Sequence, residues 1–168
     1  IRRQRQMCIR DSFYVIGVNS IRRRYHTRGH ISLSQIQEID LKLQQAPAHK
    51  LKLIAAHQPF YTPPDHSHCV KDCPMLGRIA LEQWSQHGLN GLLHGHLHHA
   101  AVYDLNQIYQ LGVSHPVLDI HAGTATSYRL HAGLPNSLNI ILPNADVQHF
   151  SFNAETNRFE LMQQNTSD

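Results

Sequence analysis

Residues 89–98 read LNGLLHGHLH. Leu89, Leu92 and Leu93 make a short apolar run, which reads as a buried strand. The run passes straight into Gly95-His96-Leu97-His98, and the carboxyl ends of strands are where α/β sheets assemble their sites. Two histidines one residue apart do not share a helix face, which would need a spacing of four. In a loop they reach two neighbouring metal ions from one short segment. Gly95 allows the sharp turn and close backbone approach that such a loop needs. The stretch therefore predicts a strand that delivers His96 and His98 at its carboxyl end, either as metal ligands or as capped or buried histidines.

Working outward, residues 51–56 (LKLIAA) predict a second buried strand that delivers His57 at its C-terminal end, and residues 13–18 (FYVIGV) predict a third. Between them, Ser32 with Gln35 three positions on fits a capping box. Leu33, Ile36, Ile39 and Leu43 follow at helical spacing, and Pro47 ends the helix. Pro59, Pro63 and Pro64 predict an irregular loop. Residues 74–87 read as a helix with Met75, Ile79, Leu81 and Trp84 as its core positions. Later, residues 101–103, 108–113, 117–122, 138–142 and 147–152 read as short strands between Gly, Pro and Asn turns. The order is β-α-β-α-β and then mainly β, which predicts a layered α/β protein whose late strands form a second sheet. The last six residues read as a frayed tail.

Residues 1–12 are set apart from this scheme. Residues 2–12 (RRQRQMCIRDS) are, in one reading frame, the translation of a transposase-type sequencing adaptor, and are expected to be library DNA rather than protein. The full chain carries 15 Lys+Arg against 12 Asp+Glu. Setting the segment aside removes Arg2, Arg3, Arg5 and Arg10 and one acid, Asp11, so the charge of +3 falls to zero. With it goes the electrostatic case for nucleic acid or an anionic membrane. Cys8 leaves too, and Cys69 with Cys73 does not make a secreted disulfide framework. No apolar run approaches the ~20 residues of a membrane helix.

The motifs at residues 55–60 (AAHQPF), 92–100 (LLHGHLHHA) and 122–130 (AGTATSYRL) together resemble the late motifs of calcineurin-like metallophosphoesterases. Residues 15–20 (VIGVNS), 29–35 (GHISLSQ) and 135–141 (PNSLNII) are most similar to the bacterial class III cyclic-nucleotide phosphodiesterase group, and the resemblance runs over residues 13–159. It implies an α/β fold, the layered α-β-β-α sandwich of that superfamily, of which residues 13–160 would be the C-terminal part and residues 161–168 a tail. It also implies two divalent metal ions (Mn, Fe, Zn or Co), with His57 and His96 on one and His98 on the other.

The activity implied is hydrolysis of phosphodiester bonds by water that the two ions activate as hydroxide, with 3′,5′-cyclic nucleotides the first substrates to consider. Same-superfamily alternatives are a phosphomonoesterase, a pyrophosphatase or an exonuclease, and a phosphoesterase fold reused as a binding scaffold stays open beside them. The family's Asp-x-His, bridging Asp and Asn-His motifs, which precede the lone histidine, do not occur ahead of His57. The expectation is an N-terminally truncated, cytoplasmic enzyme that is inactive alone and retains no assigned catalytic residue. Its partner would be a small phosphodiester, with nucleic acid disfavoured and no membrane.

Other residues carry weaker readings. His94 and His99 are either packing residues or neighbours that tune the ligands. His66, His68, Cys69 and Cys73 are either a polar loop bordering the cleft or a structural zinc site of irregular spacing. Arg129, near Thr124 and Thr126, is either a phosphate contact or half of an ion pair. The run Arg22, Arg23, Arg24 reads as a solvated loop.

Overall fold

The computed structural model of the chain describes residues 12–21, 28–126, 128 and 133–162, with the side chain of His68 excepted. The frayed tail, the arginine run and Arg129 lie outside the described residues. So does the adaptor-like segment, apart from Ser12.

Four parallel strands form the main sheet: β1 (Phe13–Gly17), β2 (Leu51–Ala55), β3 (Leu89–His94) and β5 (Leu118–His121). Strand β4 (Ala101–Asp104) pairs antiparallel with β5, giving the order β1-β2-β3-β5-β4. Three further strands, β6 (Ser137–Ile141), β7 (Val147–Asn153) and β8 (Arg158–Leu161), make a separate antiparallel sheet. The architecture is mixed α/β with a largely parallel sheet; of the late runs expected to form a second sheet, those at 138–142 and 147–152 do so, whereas those at 101–103 and 117–122 join the main sheet as β4 and β5. Strand β8, whose last residue Leu161 is the first of the expected tail, belongs to the second sheet.

Helix α1 (Leu33–Gln45) starts where the capping box places it. Ser32 Oγ accepts from the Gln35 N–H at 3.2 Å, and the Gln35 side chain accepts from the Ser32 N–H at 3.0 Å. Helix α2 (Gly77–Ser85) lies beside α1, and the buried Trp84 donates its indole N–H to Ile36 O at 3.1 Å. Ile36, Ile39 and Leu43 of α1 and Ala80, Leu81 and Trp84 of α2 enter one core. Opposite them stands a row of sheet residues in register, Ile16, Ile54 and Leu92. Continued across β5, the same row holds Asp119, whose carboxylate is wholly buried.

Several expectations need correction. Met75 is 85% exposed and Ile79 50%, so neither is core; α2 begins after Met75 and turns Ile79 to solvent. Leu33, the first residue of α1, is also exposed. Residues 108–113 are not a strand. Asp104 caps a short helix, α3 (Leu105–Tyr109), by accepting from the Asn106 N–H at 2.9 Å, and Gln110 and Gly112 then take positive φ. The proline-rich loop is more regular than expected, because residues Pro64–Asp72 form 3-10 turns.

Candidate metal centre

The carboxyl ends of β1, β2, β3 and β5 converge, and the histidines stand there. Ser20, just beyond β1, is fully buried and spends its hydroxyl on the segment after β2. Its Oγ accepts from the backbone N–H of His57 at 3.2 Å and of Gln58 at 3.1 Å, and it donates to Gln58 Oε1 at 2.9 Å. Both lone pairs and the proton of one hydroxyl therefore fix the chain that carries His57.

After β3 the backbone turns sharply. The N–H of Leu97 donates to Gly95 O at 2.7 Å, closing a three-residue turn with His96 at its centre. His96 (φ 63°) and His98 (φ 55°) both sit in the left-handed region, while Leu97 between them is buried. Such conformations cost about 1–3 kcal/mol each in a residue bearing a Cβ and cluster at functional sites. A buried leucine thus separates two strained histidines.

The result is a histidine pair. His96 Nδ1 lies 3.3 Å from His57 Nε2, with the rings edge-to-face at 5.2 Å. Two nitrogens bound about 2.1 Å from one tetrahedral metal would lie about 3.4 Å apart, so the pair fits one divalent ion. Burial first, and then the neighbouring His96, His98 and His94, hold His57 below the usual imidazole value, favouring the neutral form a metal needs. The other nitrogen of His96, Nε2, lies 3.1 Å from Asp72 Oδ2.

His98 stands apart from that pair. Its Nδ1 is 2.6 Å from Thr124 Oγ1. Thr124 is fixed in turn, because its carbonyl accepts from Asn136 Nδ2 at 2.8 Å and from the Ser137 N–H at 3.0 Å. Thr126 is exposed and reaches no part of this arrangement among the described contacts.

Beneath the loop lies a second cluster. Asp119 accepts from His94 Nε2 at 3.0 Å and from His121 Nε2 at 2.8 Å, and all three side chains are excluded from solvent. Among the described residues they are the one set of three ligand atoms within 4.8 Å of one another, close enough to hold a metal ion. Burial alone would push the Asp119 carboxyl up, but His94 and His121 outweigh it and hold it below the carboxylate range. Burial pushes His121 below its ordinary value. Both oxygens of Asp119 are already satisfied and the three side chains are excluded from solvent, so the cluster offers a phosphate ester no access, while His121 Nδ1 is buried with no hydrogen-bond partner among the described residues.

The remaining candidates separate. His99 stacks on the buried His66 at 5.0 Å, and His66 Nδ1 is 3.2 Å from Asp65. Cys69 and Cys73 are free thiols. Burial, with nearby carboxylates, pushes both thiols up in the metal-free chain. Cys73 Sγ meets Thr62 Oγ1 at 3.0 Å. His66, Cys69 and Cys73 make no cluster of three ligand atoms among the described residues, and the side chain of His68 lies outside them. Sequence reading missed Asp72 and Asp119. An acid inside the apolar strand at residues 117–122 was a visible signal for Asp119; nothing local marked Asp72.

A scan against protein-family models finds no match to the chain, and a search of curated proteins finds none either. Among solved structures, the chain is similar to a Staphylococcus aureus protein assigned as a 5′-nucleotidase, solved with α-ketoglutarate. Identity is 13%, the TM-score is 0.46, and the match covers 95% of this chain. The chain spans 28% of the length of that protein. Likeness at this level assigns no family and no activity. No helix among the described residues is long and apolar enough to cross a membrane.

Proposed function

We propose that this chain supplies the histidine half of a divalent-metal site in a hydrolase of phosphodiester bonds. The observation that carries the reading is the 3.3 Å approach of His57 Nε2 and His96 Nδ1 at the carboxyl ends of two adjacent parallel strands. His57 and His96 would hold one cation, and His98, steadied by Thr124, would hold the other. Bound divalent cations would supply Lewis-acid stabilisation of the phosphoryl oxygens and lower the pKa of water. The chain's own part is positional. Ser20 anchors His57, and the turn around Leu97 aims His96 and His98 away from the core.

The acidic ligands of such a site would come from residues ahead of Phe13. The test uses the protein with whatever its gene encodes there, loaded with Mn²⁺ and given bis(p-nitrophenyl) phosphate and 3′,5′-cyclic AMP. Cleavage that is lost in His96→Ala is the expected result. Full activity in His96→Ala removes the ligand assignment. Preference for a phosphomonoester, a pyrophosphate or single-stranded DNA moves the substrate class within the same chemistry. An upstream sequence without acidic motifs, and no hydrolysis at all, favours the binding scaffold.

A further inference from the structure

Asp72 closes the 3-10 segment that follows His57, and its side chain has no evident business in a protein interior. The residue is 6% exposed, its Oδ1 is buried without a hydrogen-bond partner, and its Oδ2 meets His96 Nε2. A buried carboxylate with half its acceptor capacity unused costs stability. The fold nevertheless holds it firmly. The carbonyl of Asp72 accepts from the Gly29 N–H at 2.7 Å, and a Cβ on Gly29 would overlap that carbonyl and the ring of Pro74. Cys73 N–H closes the segment on Val70 O at 3.2 Å, and Pro74 prevents its continuation.

The consequence lies in the tautomer of His96. A neutral imidazole carries one N–H, and a carboxylate accepts but cannot donate. With Asp72 at Nε2, the proton of His96 belongs on Nε2, and Nδ1 turns its lone pair toward His57 Nε2. Ring nitrogens of metal-binding histidines are commonly fixed this way, and losing the carboxylate lowers metal affinity about 10–100-fold. We propose that Asp72 is a positioning residue that locks His96 in the Nε2–H tautomer, so that Nδ1 keeps its lone pair, accepting from His57 Nε2–H in the metal-free chain and turning to a divalent cation when one displaces that proton. This rests on reading His57 and His96 as a ligand pair. Asp72 itself does not bind the same ion, because its carboxylate faces the far nitrogen of the ring.

The test has a metal-free arm and a metal arm, both on the protein with whatever its gene encodes ahead of Phe13. In the first, ¹⁵N-histidine spectra are recorded well above the ordinary imidazole pKa of about 6.5. His96, assigned by its absence in His96→Gln, should show the Nε2–H pattern; in Asp72→Ala it should move toward a mixture of tautomers. In the second, Co²⁺ is titrated by its visible d–d absorption. The unaltered chain should bind, His57→Ala should lose binding, and Asp72→Ala should weaken it about 10–100-fold with its circular dichroism unchanged. Asp72→Asn, whose amide oxygen still accepts, should weaken it less. An unchanged tautomer and unchanged Co²⁺ affinity in a folded Asp72→Ala would overturn the role of Asp72 and leave the ligand pair standing. Failure of the unaltered chain to bind Co²⁺ would overturn the ligand pair itself, and with it any service of the tautomer to a metal.

Discussion

Replacing Ser20 by alanine removes one oxygen from the interior and should damage fold and site together. That oxygen is wholly buried and serves three bonds, two of them accepted from the backbone N–H groups of His57 and Gln58. Alanine leaves both donors without that partner. The stranded Gln58 N–H is buried and costs about 1–3 kcal/mol, and the part-buried His57 N–H and the Gln58 Oε1 that loses its donor add to it, so the loss should be about 2–4 kcal/mol. For a chain of 168 residues that corresponds to a fall in Tm of roughly 5–15 °C. The segment freed is the one that carries His57, so divalent-metal affinity should fall as well. Thermal unfolding followed by circular dichroism, paired with a Co²⁺ titration, measures both. A Tm within about 1 °C of the unaltered chain, with metal affinity intact, would refute the claim that one hydroxyl organises the end of β2.

Two other perturbations probe the buried cluster. Asp119→Ala should cost about 3–5 kcal/mol in urea unfolding, because it strands His94 and His121 in a dry interior; a loss under about 1 kcal/mol would show the cluster to be wetter than drawn. Stability should also fall with acid in two steps. Burial holds His121 and His149 below 6.5, so the unfolded chain takes up protons first and stability declines as pH drops through that value. Asp119, held below 3.8, contributes stability above that value and loses it as pH falls further. Urea midpoints should be flat only between about pH 7.5 and 8, below the pH at which the unfolded thiols ionise ahead of the folded ones; a midpoint rising on acidification to about pH 5 would reverse this order.

What could be read from the sequence was whatever local pattern controls. The capping box at Ser32 and the strand ends that carry His57 and His96 depend on neighbours within a few residues, and all appear where expected. The errors fall where local pattern is ambiguous. Residues 108–113 have the apolar content of a strand, but the cap supplied by Asp104 makes the preceding segment helical. Met75 and Ile79 match helical periodicity, yet the helix begins later and its buried face runs through Ala80, Leu81 and Trp84. The carboxylates were hidden for a different reason. Asp72 meets His96 from 24 residues away, and Asp119 meets His94 from 25, so their roles exist only once the sheet and the proline-rich segment are assembled.

The central claim is that His57 and His96 hold a divalent ion, and anomalous diffraction at the zinc edge from crystals grown with Zn²⁺ tests it most directly. The account predicts a peak about 2.1 Å from both His57 Nε2 and His96 Nδ1. A peak seated instead among His94, Asp119 and His121, or no peak at the histidine pair at saturating zinc, would contradict it.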